Sequence, residues 1–257
     1  MLTQLVAGAR EDAAARSALL PLDEVMASAR AAAPALDALE ALAPGDSVKI
    51  IAEIKRASPS RGVLADIPEP SALAAQYELG GASAISVLTE GRRFGGSLDD
   101  LRAVRASVAV PVLRKDFISV PYQVFEARAA GADIVLLIVA ALSDEELSTL
   151  YALIEELGMT ALVEAHSADE VDRAIGLGAR LIGVNARDLS TFELDRDLFG
   201  SLAGRMPEGV IRVAESAVRT AADVAHYRDA GADVVLVGEA LVTGGDPTQA
   251  LREFRSV

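Results

Sequence analysis

The chain has 257 residues and a formal charge of −14, because 38 Asp and Glu outnumber 24 Lys and Arg. Affinity for phosphate backbones comes from clustered Lys and Arg, and six Phe with four Tyr offer few rings for base stacking, so the composition argues against nucleic-acid binding. Cys is absent and two His are present, which excludes disulfides and thiolate sites and leaves little room for a His-rich metal site.

Hydropathy gives no sign of a membrane segment. The longest wholly apolar run, residues 134–142, has nine residues, against the roughly 18 that a membrane-spanning helix needs. Arg10, Glu11 and Asp12 interrupt the N-terminal region before the apolar part of a signal peptide could form. The sequence therefore predicts a cytoplasmic protein without a membrane partner.

The first 47 residues are rich in Ala and helical in pattern, and Pro21, Pro34 and Pro44 interrupt them. They predict an N-terminal helical extension rather than a separate domain. The whole chain, residues 1–257, is expected to form a single domain.

After this extension, a unit recurs in which a helical pattern ends in Gly-Ala and an aliphatic run begins one residue later. Gly suits a helix C-cap whose backbone is in the left-handed conformation. Such an aliphatic run predicts a strand buried on both faces. The units cover residues 81–87, 131–137, 178–184 and 231–237. Their starts are 50, 47 and 53 residues apart, about the length of two strand–helix units, so a further strand is expected in each gap.

Those further strands are predicted at residues 48–53, 110–114, 160–164 and 210–215. Helices should follow the strands, and Ser143 with Glu146 and Ser167 with Glu170 are spaced as capping boxes at helix starts. Eight strand–helix units, at a repeat of about 25 residues, favour an α/β fold of the (β/α)8 TIM-barrel type over an open doubly wound sheet. Neither a dinucleotide-binding G-x-G-x-x-G nor a P-loop motif is present.

Polar residues end six of the predicted strands, where side chains that act chemically lie in this architecture. They are Glu53 and Lys55 after the first strand, Lys115 and Asp116 after the third, Glu164 and His166 after the fifth, Asn185 and Arg187 after the sixth, Glu215 and Ser216 after the seventh, and Gly238 and Glu239 after the eighth. Considered without the other strand ends, Glu53 and Lys55 predict a structural ion pair, because their Cα atoms lie about 7 Å apart on the same side of a strand. Glu164 and Asn185 can each cap a helix, and His166 is expected in a loop, or in contact with residues that themselves touch the substrate, rather than as a base. Three carboxylates and two ammonium groups at one mouth, however, are costly unless they pair or bind a ligand.

The loops after the seventh and eighth strands predict a phosphate site. In barrels of this type those loops present backbone N–H groups to an anion. Ser216 and Ala217 occupy the first place, and residues 237–239 occupy the second.

Several segments, in order from about residue 47 to the end, resemble the indole-3-glycerol phosphate synthase family. They are Ile-Ala-Glu-Ile-Lys-Arg-Ala-Ser-Pro-Ser-Arg-Gly at 51–62, Val-Leu-Arg-Lys-Asp-Phe at 112–117, Leu-Val-Glu-Ala-His at 162–166, Ile-Gly-Val-Asn-Ala-Arg-Asp-Leu at 182–189 and Ala-Glu-Ser at 214–216. The resemblance implies closure of a phosphorylated substrate, 1-(2-carboxyphenylamino)-1-deoxyribulose 5-phosphate, to an indole with loss of CO2 and water. With no Cys, two His and no nucleotide motif, no metal and no organic cofactor are expected.

Carried over residue by residue, the resemblance implies roles for three groups of side chains. The catalytic group is Glu53, Lys55, Lys115, Glu164, Asn185, Glu215 and Ser216. The substrate-binding group is Ser58, Phe117, Arg187 and Leu189, with Phe117 and Leu189 beside the anthranilate ring, and the phosphate-binding group is Ser58, Ser216, Ala217, Gly238 and Glu239. Lys115 is expected to protonate the ketone oxygen, and Lys55 to hold the ring carboxylate. The second proton donor stays open between Glu164, if burial raises its pKa, and Lys55 with Glu53 as base.

One position departs from the family pattern, which has Glu-Ser-Gly where this chain has Glu215, Ser216 and Ala217. Because Ala adds a single methyl group, we expect Ala217 at an ordinary negative φ with its N–H donor in place.

Two alternative functions stay open at this point. Phosphoribosylanthranilate isomerase is a similar phosphate-binding barrel, but it resembles this chain less because it uses a Cys that is absent here. A barrel that binds a phosphorylated metabolite without catalysis would not need both lysines and both glutamates. No feature of the sequence indicates an oligomeric state.

Overall fold

The computed structural model describes residues 1–188, 191 and 193–257. Over these residues eight parallel strands close into one barrel, in which neighbours in chain order pair and β8 pairs with β1. The strands are β1 (Lys49–Ile54), β2 (Ala84–Leu88), β3 (Val112–Lys115), β4 (Ile134–Ile138), β5 (Thr160–Ala165), β6 (Leu181–Asn185), β7 (Ile211–Glu215) and β8 (Val234–Val237). Each lies within a few residues of a predicted strand, which confirms the (β/α)8 TIM barrel.

Helices precede the barrel and alternate with its strands. Before β1 lie α1 (Leu2–Leu19), α2 (Leu22–Ala31) and α3 (Ala38–Ala41). The barrel helices are α4 (Pro70–Gly80), α5 (Leu98–Ser107), α6 (Pro121–Ala129), α7 (Asp144–Glu156), α8 (Ala168–Gly176), α9 (Leu198–Ala203), α10 (Ala221–Asp229), α11 (Glu239–Thr243) and α12 (Pro247–Arg255), and a 3-10 turn covers Val139–Ala141. No helix of the described residues is long and apolar enough to cross a membrane.

The strands are buried on both faces because their alternate residues enter two different clusters. Ile51 and Leu113 belong to the cluster that fills the barrel. Their neighbours Ile50 and Val112 belong to the cluster between strands and helices. Leu5 of α1 joins the interior cluster, so the helices before β1 pack directly on the barrel.

Buried charges connect α1 to the end of β3. Arg16 of α1 donates from Nε and Nη2 to the two carboxylate oxygens of Glu126 on α6, at 2.5 and 2.8 Å. Arg114 on β3 is buried, 3.5 Å from Glu126 and 3.0 Å from Asp116. Asp116 in turn accepts a hydrogen bond from Thr89 Oγ1 at 2.7 Å. Arg16 is only half-buried, but Arg114, Asp116 and Glu126 are buried and each depends on the others for charge compensation, so this network helps to hold α1 on the barrel.

Local capping agrees with the sequence pattern at most positions. The four expected C-cap glycines have φ between +82° and +94°. Ser143 and Glu146 form the reciprocal capping box predicted for α7. At α8 only half of the predicted box is present: Ser167 accepts from the Glu170 N–H, but the Glu170 carboxylate accepts from the backbone N–H of His166 at 2.8 Å instead. The second half of that prediction was wrong by one residue.

A short antiparallel hairpin, which the sequence pattern did not predict, follows β1. Ala57–Ser58 pairs with Gly62–Val63. Arg56 fixes its base, donating to the carbonyl of Ile67 at 2.8 Å and pairing with Asp100 at 2.6 Å. The hairpin therefore stands at the carboxyl end of β1, beside the mouth of the barrel.

Candidate active site

A cavity of about 330 Å³ opens at the carboxyl ends of the strands. Its lining includes every predicted site residue within the described part of the chain: Glu53, Lys55, Ser58, Lys115, Phe117, Glu164, Asn185, Arg187, Glu215, Ser216, Ala217, Gly238 and Glu239. Leu189, predicted beside the anthranilate ring, lies outside the described residues. The barrel topology brings these side chains together, because they lie at the carboxyl ends of parallel strands or in the segments that follow those ends.

Lys115 lies between two buried carboxylates. Its Nζ is 2.9 Å from Glu164 Oε2 on β5 and 3.3 Å from Glu215 Oε2 on β7. Both glutamates are about 1% exposed. One ammonium group cannot neutralise two ionised carboxylates, so this arrangement favours one shared proton on the pair.

The two carboxylates differ in their neighbours. Burial raises the pKa of Glu164, but Lys115 and His166 lower it more strongly, to about 2. Burial also raises the pKa of Glu215. Lys115 lowers this pKa and the negative charge of Glu164 raises it, and the result is a pKa of about 8. Burial lowers the pKa of Lys115, yet Glu164, Glu215 and Glu53 raise it well above its ordinary value. These directions favour a protonated Lys115 and place the shared proton of the pair on Glu215 rather than on Glu164. The condition under which Glu164 alone could be the proton donor was a pKa raised by burial, and it is not met here because Lys115 and His166 lower that pKa.

A second lysine–carboxylate pair lies on the same side of β1. Lys55 Nζ is 2.6 Å from Glu53 Oε1, as the two-residue spacing along a strand predicts. Ser86 on β2 donates to Glu53 Oε2 at 3.4 Å. Gly238 leaves room for the pair, since a Cβ there would come within 2.6 Å of Glu53 Oε1. Glu53 and Lys55 therefore form the ion pair predicted for them, and both side chains also line the cavity.

Asn185 and Ser216 connect β6 to β7. The amide oxygen of Asn185 accepts from Ser216 Oγ at 2.7 Å and from the backbone N–H of Arg187 at 3.0 Å. Tyr227 donates to the carbonyl of Ser216 at 3.3 Å. These bonds fix the loop after β7 against its neighbours.

The loop after β7 adopts the left-handed conformation. Ser216 has φ +70° and Ala217 has φ +59°. The expectation of a negative φ at Ala217 is therefore wrong: the loop keeps the backbone that Gly would favour and accepts the steric cost of a methyl group.

Opposite sides of the mouth differ in polarity. Leu5, Phe94, Phe117 and Ile138 line the side near β2 to β4, and the rings of Phe94 and Phe117 have centroids 6.0 Å apart. Arg61, Arg187 and Arg219 line the side near β6 to β8 and the hairpin, and Arg61 Nη1 pairs with Glu239 Oε1 at 3.0 Å. Sequence reasoning missed Arg61 and Arg219. Their only signal was their position, one residue before the hairpin glycine and two residues after Ala217.

His166 lies behind Glu164 and does not line the cavity. Over residues 1–188, 191 and 193–257, no group of three or more His, Cys, Asp or Glu is arranged to hold a metal ion.

A closed (β/α)8 barrel that gathers two lysine–carboxylate clusters at the carboxyl ends of its strands defines an acid–base enzyme of the TIM-barrel class. The family model for indole-3-glycerol phosphate synthase matches residues 2–254. The chain belongs to that family, whose members are decarboxylating lyases of tryptophan biosynthesis.

Similar proteins cover the whole chain. The indole-3-glycerol phosphate synthase of Leifsonia xyli subsp. xyli is 70% identical over 257 residues, which is 100% of this chain and 98% of that protein. The protein of the same name from Mycobacteroides abscessus is 59% identical over 255 residues, 99% of this chain and 93% of that one. Among solved structures, a 3-hexulose-6-phosphate synthase has a TM-score of 0.64 at 20% identity, over 81% of this chain and 99% of its own, a likeness of fold alone.

Proposed function

We propose that this chain converts 1-(2-carboxyphenylamino)-1-deoxyribulose 5-phosphate into indole-3-glycerol phosphate, CO2 and water. One observation carries the proposal: a single cavity holds two lysine–carboxylate clusters between an apolar side and an arginine-lined side. The substrate has matching parts, which are an aromatic ring with its carboxylate, a ketone and a terminal phosphate.

Lys115 is the acid of the ring-closing step. When the ring carbon attacks the ketone carbon, the carbonyl π electrons move to oxygen, and a proton from Lys115 Nζ converts that oxygen to a hydroxyl. The carboxylates around Lys115 support this role because they keep it protonated at neutral pH. An alkoxide is a stronger base than an amine, so the transfer is favourable once the new bond forms.

Lys55 serves the carboxylate that leaves. Its ammonium group, held by Glu53, pairs with the ring carboxylate before reaction. The bond between ring and carboxylate then breaks, CO2 departs, and the electron pair restores the aromatic ring.

The pair of Glu164 and Glu215 supplies the proton for the loss of water. Its shared proton resides on Glu215, and transfer to the new hydroxyl lets that group leave as water. The adjacent CH2 group gives one proton to Glu53, and the indole double bond forms. Two protons are donated and one is recovered, so each turnover takes up one proton from solvent, as conversion of a carboxylate to neutral CO2 requires.

The phosphate lies on the arginine-lined side. Arg187 and Arg219 offer charge, and Ser58 with the backbone of residues 216–217 and 238–239 offers hydrogen-bond donors. The carboxylate of Glu239 would repel phosphate, and its pairing with Arg61 reduces that repulsion. Phe94 and Phe117 pack on the anthranilate ring across the mouth.

The test is formation of the indole from purified substrate, followed by indole fluorescence together with CO2 release. Equal amounts of both products are expected, and Lys115→Ala serves as the catalytic control. Calorimetry that detects substrate binding without turnover would instead identify a binding protein without catalysis. Consumption of phosphoribosylanthranilate would favour the isomerase.

We also propose a cytoplasmic location, which the short longest apolar run and the charged N-terminal region support, and no nucleic-acid partner, which the acidic composition supports. Cell fractionation, and gel-shift measurements with DNA and RNA at low salt, test these two statements.

A further inference from the structure

His166 follows β5 directly and contacts Glu164, but it is not among the residues that line the cavity. Its Nε2 lies 3.4 Å from Glu164 Oε1, and its Nδ1 lies 3.3 Å from Glu170 Oε2 on α8. The same Glu170 oxygen accepts the His166 backbone N–H at 2.8 Å. The imidazole is mostly buried, and within the described residues Nε2 has no hydrogen-bond partner.

We propose that His166 is a positioning residue for the catalytic carboxylates: held by Glu170, its imidazolium fixes Glu164 Oε1, leaves Oε2 to Lys115 and keeps the shared proton of the pair on Glu215. This inference rests on the proposed function, because the pair acts there as the second proton donor.

The geometry supplies the argument. Toward Lys115 the two carboxylates are nearly equivalent, at 2.9 and 3.3 Å. They differ on their other oxygens: Glu164 Oε1 makes an ion-pair contact of 3.4 Å with His166 Nε2, which is not a hydrogen bond, whereas the buried Glu215 Oε1 has no hydrogen-bond partner in the described part of the chain. A proton binds to the carboxylate that faces fewer cations. Glu215 is therefore the protonated member, and His166 makes the difference.

Several charged groups face His166. Glu164 on β5, Glu170 on α8 and Glu215 on β7 act directly on the imidazole. Lys115 lies on the far side of Glu164, and Arg173 on α8 acts on Glu170. Burial lowers the pKa of His166, but the three carboxylates raise it above its ordinary value. The imidazolium form thus agrees with the contacts.

The first experiment observes His166 without measuring activity. The chain has two histidines, so NMR of protein with 15N-labelled His gives two ring systems, and His166→Gln assigns them. We expect the His166 ring to be largely protonated at pH 7, and Glu164→Gln and Glu170→Gln each to lower its titration midpoint by at least about half a pH unit. The His226 signals serve as internal reference. A neutral His166 ring at pH 7, or a midpoint that neither variant moves, would overturn the proposal.

The second experiment measures the consequence for the reaction. In His166→Gln the shared proton is divided between both carboxylates and bound more tightly. We therefore expect kcat to fall about tenfold and the alkaline limb of the kcat profile to move to higher pH. KM should change less than about threefold. Glu170→Gln should also lower kcat and move the alkaline limb to higher pH, by smaller amounts.

The matched control is His226→Gln. His226 pairs with Asp197 at 3.4 Å outside the cavity, so this variant should keep the wild-type profile. A His166 with a structural role alone would lower Tm and leave the alkaline limb in place, which contradicts the proposal. If His166→Gln does not fold, Glu170→Gln and the NMR titration still decide. A wild-type protein that forms no indole refutes the proposed function instead, while the NMR result stands separately.

Discussion

Ala217→Gly tests how the loop after β7 is held. Ala217 has φ +59°, and an L residue in the left-handed region costs about 1–2 kcal/mol. Gly removes that cost but adds about 0.5–1 kcal/mol of chain entropy in the unfolded state. The net expectation is a stabilisation of about 0.7 kcal/mol, which for a chain of this size raises Tm by roughly 1.5–3 °C.

Substrate affinity should hardly change in the same variant. The loop already has the backbone that Gly favours, so its N–H groups do not have to move. We expect KM to change less than about threefold, which corresponds to less than about 0.7 kcal/mol.

Thermal unfolding and steady-state indole formation measure the two effects. Ala103→Gly is the matched control, because Ala103 is exposed in the middle of α5, where the same change should destabilise by about 1 kcal/mol. A lower Tm for Ala217→Gly would refute the strain argument. A KM at least tenfold lower than that of the wild type would show that the methyl group impairs phosphate binding.

Three further predictions concern the reaction. Lys115→Ala and Glu164→Gln should each lower kcat by on the order of 10²–10⁴, measured by indole fluorescence, and a variant that keeps more than half of the wild-type kcat would lose its place in the mechanism. Because Glu215 must be protonated to donate, kcat should fall as pH rises through about 8, and Glu215→Gln should lose this limb along with most of its activity. An unchanged limb in that variant would assign it to another group. Exhaustive EDTA treatment should leave kcat unchanged, and activity restored by a divalent ion would contradict the expected absence of a metal.

The fold could be predicted because its signals are local. Gly81, Gly131, Gly178 and Gly231 mark helix ends by a backbone conformation that other residues adopt at a cost, and the aliphatic runs after them need burial on both faces. Once eight parallel strands are placed, the site follows, since a barrel brings the carboxyl ends of its strands together.

Protonation could not be predicted in the same way. What favours Glu215 over Glu164 as the protonated carboxylate is a set of distances between β3, β5 and β7, together with the imidazole that follows β5. None of these distances is encoded in a local pattern. The left-handed Ala217 has the same origin: contacts of the loop after β7 with β6 and α10 outweigh the intrinsic preference of Ala.

The buried charges between α1 and β3 limit how this chain can be recombined with its relatives. A chimera that takes the first 47 residues from another barrel keeps Glu126 and Arg114, whose charges are set for the guanidinium of Arg16. Without an arginine in that place, Glu126 loses one of its two cationic partners and keeps only Arg114. Arg114 lies on β3, the strand that also carries Lys115. The crossover point of a working chimera is therefore decided by charge matching across α1 and α6, and a boundary chosen between secondary-structure elements alone would miss it.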